Sequence, residues 1–234
     1  MFGTKPLSRR SLIVMAGAAG AGLFITGCTG SSKSHAPTAT AVEILDRDHG
    51  ILCRTICILE EARGGMDARM DLPPEIIQGT VELIGRFVVM HHQKLEEKYI
   101  FPVFDAANKM SGLVGVLREQ HAAGAQLTDT LRQLASGFSA KDLEKRRTLD
   151  SAIHQFSRMY RAHSNREDTM LFPLVRQVVT PQAYADLNSA FEKEDGEALG
   201  KNGFDEIIQK LSNYENMLGI GDLAAFTPRT DDLN

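Results

Sequence analysis

One pattern, a histidine followed four residues later by a glutamate and ten residues later by a proline, occurs twice in this 234-residue chain. In "HHQKLEEKYIFP" it is His92, Glu96, Phe101 and Pro102; in "HSNREDTMLFP" it is His163, Glu167, Phe172 and Pro173. Each copy also follows a lone histidine at nearly the same distance, with His49 and His92 separated by 43 residues and His121 and His163 by 42. Two helical hairpins of equal length satisfy that spacing, because a histidine on each first helix then lies level with a His-Glu pair on the second.

The surrounding residues agree with helices. Thr40 and Glu43 have capping-box spacing before an apolar-periodic run that meets Gly64 and Gly65, which predicts a first helix ending there. Further helices are expected over about 74–106, 111–135 and 140–179, with no strand-like alternation. Thr180 and Pro181 open another helix, and a last one over about 203–218 is closed by Gly219. The expected fold is all-α, an up-down-up-down four-helix bundle with two short C-terminal helices covering one end or side.

At about 100° per residue, Glu96 stands about 40° round the helix from His92 and one turn along, so both side chains can reach one point. Glu167 has the same relation to His163. The faces they occupy are apolar, with Val88, Leu95 and Tyr99 near His92 and Phe156, Met159, Tyr160 and Met170 near His163. His49 shares its face with Leu45, Leu52, Cys53 and Ile56, and His121 with Val114, Leu117, Gly124 and Ala125.

Four histidines and two carboxylates thus point into the core, where each unpaired polar group costs about 1–3 kcal/mol and an uncompensated charge more. Cations compensate them. Six donors exceed one tetrahedral shell, whereas two ions sharing two carboxylates use every group, and imidazole with carboxylate suits Fe, Mn or Zn. The remaining histidines fail the same test: His154 faces away from His163, His35 falls in a linker, and His91 lies about 100° round from His92 without an acid one turn on. Glu97 and Asp168 are expected at the surface or in support of the ligands rather than as metal ligands. Tyr99 and Tyr160 are candidates either to hydrogen-bond a group at the centre or simply to pack in the core, and Gly124 and Ala125 are expected to leave room for such a group. Pro102 and Pro173 are expected to kink or end their helices.

The N-terminus reads as an export signal over residues 1–27. "SRRSLI" resembles a twin-arginine signal, and "ITGC" resembles the box at which bacterial lipoproteins are acylated, making Cys28 the lipidated residue. A polar linker over 28–40 would lead to the bundle over 41–180 and a helical extension over 181–234. The lipid is then the only expected membrane contact, placing the protein on the periplasmic or outer side of a bacterial envelope membrane. A net charge of -4 without a basic block argues against nucleic acid as a partner. Cys53 and Cys57, four apart on one helix, are expected as buried free thiols, since a disulfide between them would be strained.

A histidine on the first helix, "HxxxEExxxFP" on the second, a histidine on the third and "HxxxEDxxxFP" on the fourth together resemble the HHE cation-binding branch of the hemerythrin family. The resemblance covers about residues 41 to 180. The segment "FEKEDGEALGKNGFDEIIQKLSNYENMLGIGDLAAFTP" is similar to the C-terminal extension of bacterial members. It implies a non-haem, carboxylate-bridged di-iron centre with His49, His92, Glu96, His121, His163 and Glu167 as ligands, open to oxygen, peroxide or nitric oxide. Ala125 is a departure: oxygen-carrying hemerythrins have a histidine there, so reversible carriage is not implied. What remains implied is reaction with a small diatomic or peroxide ligand, or iron or oxygen sensing without turnover. No residue names an electron donor.

Overall fold

The computed structural model describes residues 39–67, 72–137 and 142–228, and every regular element among them is helical. The expected export signal, Cys28, His35 and the linker as far as residue 38 lie outside the described residues.

Helix α1 spans Ala41–Asp67. Its start is the expected capping box: Thr40 N–H donates to Glu43 Oε2 at 2.7 Å, and Glu43 N–H to Thr40 Oγ1 at 3.3 Å. The helix runs past Gly64 and Gly65, neither of which has a positive φ. Leu72 packs 3.1 Å from where a Cβ on Gly65 would stand, so this glycine permits a close approach rather than a stop.

Helix α2 covers residues 74–106 without a break, but its winding changes: α over Pro74–Leu83, π over Ile84–His92, α over Gln93–Leu95, π over Glu96–Ile100 and α over Phe101–Ala106. Helix α3 spans Ser111–Ala135. Helix α4 starts at Leu143, capped by Asp142, which accepts from Lys145 N–H at 3.1 Å. It is α to Arg166, π over Glu167–Leu171, 3-10 over Phe172–Leu174 and α again to Val178. Neither Pro102 nor Pro173 ends its helix. The turn before each widens instead, and Phe101 and Phe172 N–H bond the carbonyls of Glu96 and Glu167, five residues back.

Contacts between α1 and α2, α2 and α3, α3 and α4, and α4 and α1 close a ring. Short connections make sequence neighbours antiparallel. Helices α5, Pro181–Leu199, and α6, Gly203–Met217, cover a side of the bundle along α1 and α2. Polar ties fasten them, among them Asn188 Oδ1 accepting from Ala41 N–H at 2.9 Å, Asp195 binding Arg47 and Glu215 binding Arg54.

That side cover shifts the buried arc of α1. Asp48, Leu52, Leu59 and Met66 mark its middle, and His49 sits near its edge. Cys53, one turn beyond His49 and further round, is therefore exposed, as is Cys57; both are free thiols but not buried ones.

The core has two apolar clusters. One holds Ile51 to Met66 of α1 with Ile76 to Val88, Leu131, Phe156 and Tyr160. The other holds Ala41 to Leu45 with Phe101, Phe104, Val114, Leu171 and Phe191. On every bundle helix the buried histidines and carboxylates fall between the two: Asp48 and His49, His91, His92 and Glu96, His121, and His163 and Glu167.

Candidate metal centre

The polar layer brings together all six residues singled out by spacing. Glu96 and Glu167 are 0% exposed, and His49, His92, His121 and His163 are 3–5% exposed. Every imidazole turns Nε2 inward. Glu167 Oε2 lies 3.1 Å from His163 Nε2 and 3.3 Å from His49 Nε2. Glu96 Oε2 lies 3.3 Å from His121 Nε2 and 3.5 Å from His92 Nε2. Each carboxylate thus touches one histidine of each hairpin, which is a bridging arrangement. Donor atoms of Glu96, His121, His163 and Glu167 lie within 4.8 Å of one another, as do those of His49, His92 and Glu96.

The outer nitrogens fix the tautomer. His49 Nδ1 is 2.6 Å from Asp168 Oδ1, His121 Nδ1 2.9 Å from Glu97 Oε1 and His163 Nδ1 3.0 Å from Gln120 Oε1. His92 Nδ1 faces Asp48 Oδ2 at 3.5 Å. All four partners are acceptors, so Nδ1 carries the hydrogen and a neutral ring presents its Nε2 lone pair inward. Phe172 stacks on His49 with centroids 5.5 Å apart, and Phe101 on His121 at 5.3 Å, so the phenylalanine of each Phe-Pro pair fixes the ring plane of a histidine on another helix.

The interior is left short of positive charge. Both oxygens of Glu96 and both of Glu167 are buried without a hydrogen-bond partner, as is His49 Nε2. His121 Nε2 and His163 Nε2 are 3.2 Å apart, a contact between lone pairs unless a proton or cation lies between them. The titration behaviour reflects the same deficit. Burial works against a charged His49, yet the hydrogen bond to Asp168 and the Glu167 carboxylate 3.3 Å away overcome it and raise its pKa to about 10. His121 is raised too, against burial, by Glu96. Burial would raise Glu167, but His163 and His49 hold it well below the usual carboxylate range. Positive charge is favoured at His49 and His121, where metal cations would supply it, and the donor set of imidazole and carboxylate fits iron, manganese or zinc.

Several neighbours differ from expectation. Tyr99 does not face the centre: its hydroxyl donates to Glu194 on α5 at 2.8 Å, and its ring packs on Phe191. Tyr160 lies beside His163 and accepts from Gln93 Nε2 at 2.6 Å. Gly124 leaves no vacant space, because a Cβ there would stand 1.9 Å from the Tyr160 hydroxyl. Met170 is 44% exposed, turned out of the layer by the widened turn at Glu167–Leu171. His154 is exposed, as expected. His91, which spacing left out of the ligand set, is buried with Nε2 3.1 Å from Asp195 Oδ1 on α5. Asp48 and Gln120 are the supports that sequence reasoning missed. Each immediately precedes the lone histidine of its hairpin, so aligning the two halves on His49 and His121 would have paired them.

Among the described residues no helix is long and apolar enough to cross a membrane. The uncharacterized protein Rv1995 of Mycobacterium tuberculosis (strain ATCC 25618 / H37Rv) and the uncharacterized protein Mb2018 of Mycobacterium bovis are each similar to this chain. Both are 33% identical over 233 residues, covering 95% of this chain and 91% of the relative. No solved structure matches it. The family model described as the hemerythrin HHE cation binding domain matches residues 40–175, a span that contains the whole polar layer. A buried, cation-deficient layer inside that span is what a cation-binding domain requires, and the chain belongs to the hemerythrin HHE family.

Proposed function

We propose that this protein is a di-iron protein of the bacterial envelope, held by a lipid on Cys28, that binds or reduces oxygen, peroxide or nitric oxide. The observation that supports it is the set of four carboxylate oxygens, fully buried and without donors, facing inward imidazole nitrogens. His49 and His92 would hold one ion and His121 and His163 the other, with Glu96 and Glu167 shared between them. Iron bound there would supply Lewis acidity and electrons for a small ligand. The chain's own part is to fix four ring tautomers through Asp168, Asp48, Glu97 and Gln120, to neutralise the ions with two carboxylates, and to exclude bulk water with the apolar clusters on either side.

Elemental analysis of the purified protein tests the metal, with two irons per chain expected. His92→Ala or Glu167→Ala should abolish stoichiometric loading. Anaerobic reduction followed by oxygen, peroxide or nitric oxide in turn should give a new charge-transfer band with at least one of them. If none perturbs the spectrum, the reactive reading fails. Cys28→Ser should move the protein from the membrane fraction to the soluble one.

A second reading, iron or oxygen sensing without turnover, is favoured by the Tyr160 side chain that fills the space beside Gly124. Steady-state peroxide loss separates the two, since a rate no greater than that of an equal concentration of free iron supports sensing.

A further inference from the structure

The family match ends at residue 175, yet one of the four inner imidazoles is tied to a residue beyond it. The tie starts at Asp195 on α5, whose Oδ1 and Oδ2 accept from Arg47 at 2.9 and 3.2 Å. Arg47 in turn gives Nε and a terminal nitrogen to Asp48 Oδ1 at 3.1 and 2.8 Å. The other oxygen of Asp48 faces His92 Nδ1 at 3.5 Å. Asp48 is fully buried, and both atoms across that gap lack a hydrogen-bond partner. Arg47 is held from a third direction by Phe204 of α6, whose ring centre lies 4.1 Å below the guanidinium.

Donor atoms of Asp48, His91 and Asp195 also lie within 4.8 Å of one another. Arg47 already supplies the positive charge between the two aspartates, so this cluster is a fastening for Arg47 rather than a place for another ion. Its consequence falls on His92. The other three inner histidines have outer hydrogen bonds of 2.6–3.0 Å to residues on bundle helices alone. His92 depends on an aspartate oriented by an arginine that α5 and α6 hold in place.

We propose that Asp195 is a positioning residue for the metal centre, acting through Arg47 and Asp48 on His92, so that docking of α5 and metal binding at His49 and His92 are coupled. The inference rests on the metal-binding reading above. Without Asp195, Arg47 loses one of its two carboxylates, and Asp48, the acceptor facing His92, is oriented by an arginine that is itself less firmly held. Outer partners of this kind change metal affinity about 10- to 100-fold when removed. Coupling is reciprocal, so metal should tighten α5 by the same factor.

The test uses the full chain as wild type, Asp195→Asn and Glu215→Gln, loaded anaerobically with ferrous iron against a chromophoric chelator. Glu215 pins α6 to α1 through Arg54 at 2.5 and 2.7 Å but leads to no inner histidine. Asp195→Asn should weaken one of two iron sites about 10- to 100-fold and shift the visible spectrum of the loaded protein. Glu215→Gln should lower the unfolding temperature and leave affinity and spectrum unchanged. Amide exchange in α5 should slow on iron binding in the wild type and not in Asp195→Asn. An Asp195→Asn protein with wild-type affinity and spectrum, or α5 exchange indifferent to iron, overturns the coupling and leaves Asp195 a mere fastener. A wild-type chain that takes up no iron overturns the metal-binding reading itself.

Discussion

Each inner histidine meets an acceptor from a neighbouring helix on its outer side: Glu97 of α2 holds His121 of α3, Gln120 of α3 holds His163 of α4 and Asp168 of α4 holds His49 of α1 by hydrogen bonds, while Asp48 of α1 faces His92 of α2 across 3.5 Å. The acid pairs Glu96-Glu97 and Glu167-Asp168 therefore divide their work, one carboxylate facing in and the next steadying a ring on another helix. The metal-free protein should show this in its pH dependence. His49 has its pKa raised to about 10 from an ordinary 6.5, so its contribution to stability is complete below about 6.5 and is lost as pH rises through 10. Glu167, depressed, contributes above its ordinary value and loses that contribution only in acid. Thermal unfolding of stripped protein should weaken steadily from pH 6.5 to 10, while iron-loaded protein, its His49 already deprotonated by the metal, should change far less. Gly124→Ala should destabilise by about 1–3 kcal/mol in denaturant titrations, because its methyl group would meet Tyr160 and the layer has no slack to absorb it. The six inward residues were legible from spacing because metal ligands on helices must share a face. Asp48 and Gln120 were not, since an acid or amide before a histidine is ordinary until the partner helix is placed.

Among the elements, the two Phe-Pro sites carry the least expected geometry. A proline inside a helix removes an N–H, and the preceding turn here answers by opening to five-residue spacing at Glu96–Ile100 and Glu167–Leu171. The wider turn begins at the inward glutamate itself and seats the following phenylalanine against a histidine of another helix. Pro102→Ala restores the missing N–H and lets the turn rewind to α. The expected result is equal or slightly higher stability of the metal-free protein with weaker iron binding, measured by unfolding and by chelator competition. Unchanged affinity would show that the wide turn does not set the site. Helix locations followed from apolar periodicity and caps, as Thr40 and Thr180 show. Winding did not, because α and π turns bury the same stripe of residues over so short a length. Periodicity within the four bundle helices says nothing about the face that α5 and α6 cover, and that cover draws Tyr99 to Glu194 and His91 to Asp195, while Cys53 and Cys57 lie outside the buried arc of α1.

Across the whole molecule, two apolar clusters are joined by one polar layer, and their cooperativity depends on what neutralises that layer. Each buried Leu, Ile or Phe in the clusters contributes about 1.5–3 kcal/mol, enough for either end to hold together while the middle is strained. The four bare oxygens of Glu96 and Glu167 make the middle the costliest part of the metal-free chain. Metal binding should therefore raise stability by about 2.7 kcal/mol at a free concentration one hundred times Kd, and it should also change the shape of unfolding. Calorimetry of loaded protein should give a van't Hoff enthalpy equal to the calorimetric one, the mark of a single transition. Stripped protein should give a ratio below one, with amide exchange fastest around His92, Glu96, His163 and Glu167 and slower in both flanking clusters. If stripped protein melts in one sharp step with uniform protection, the layer is not a weak joint, and protonated histidines alone suffice to bind the two halves.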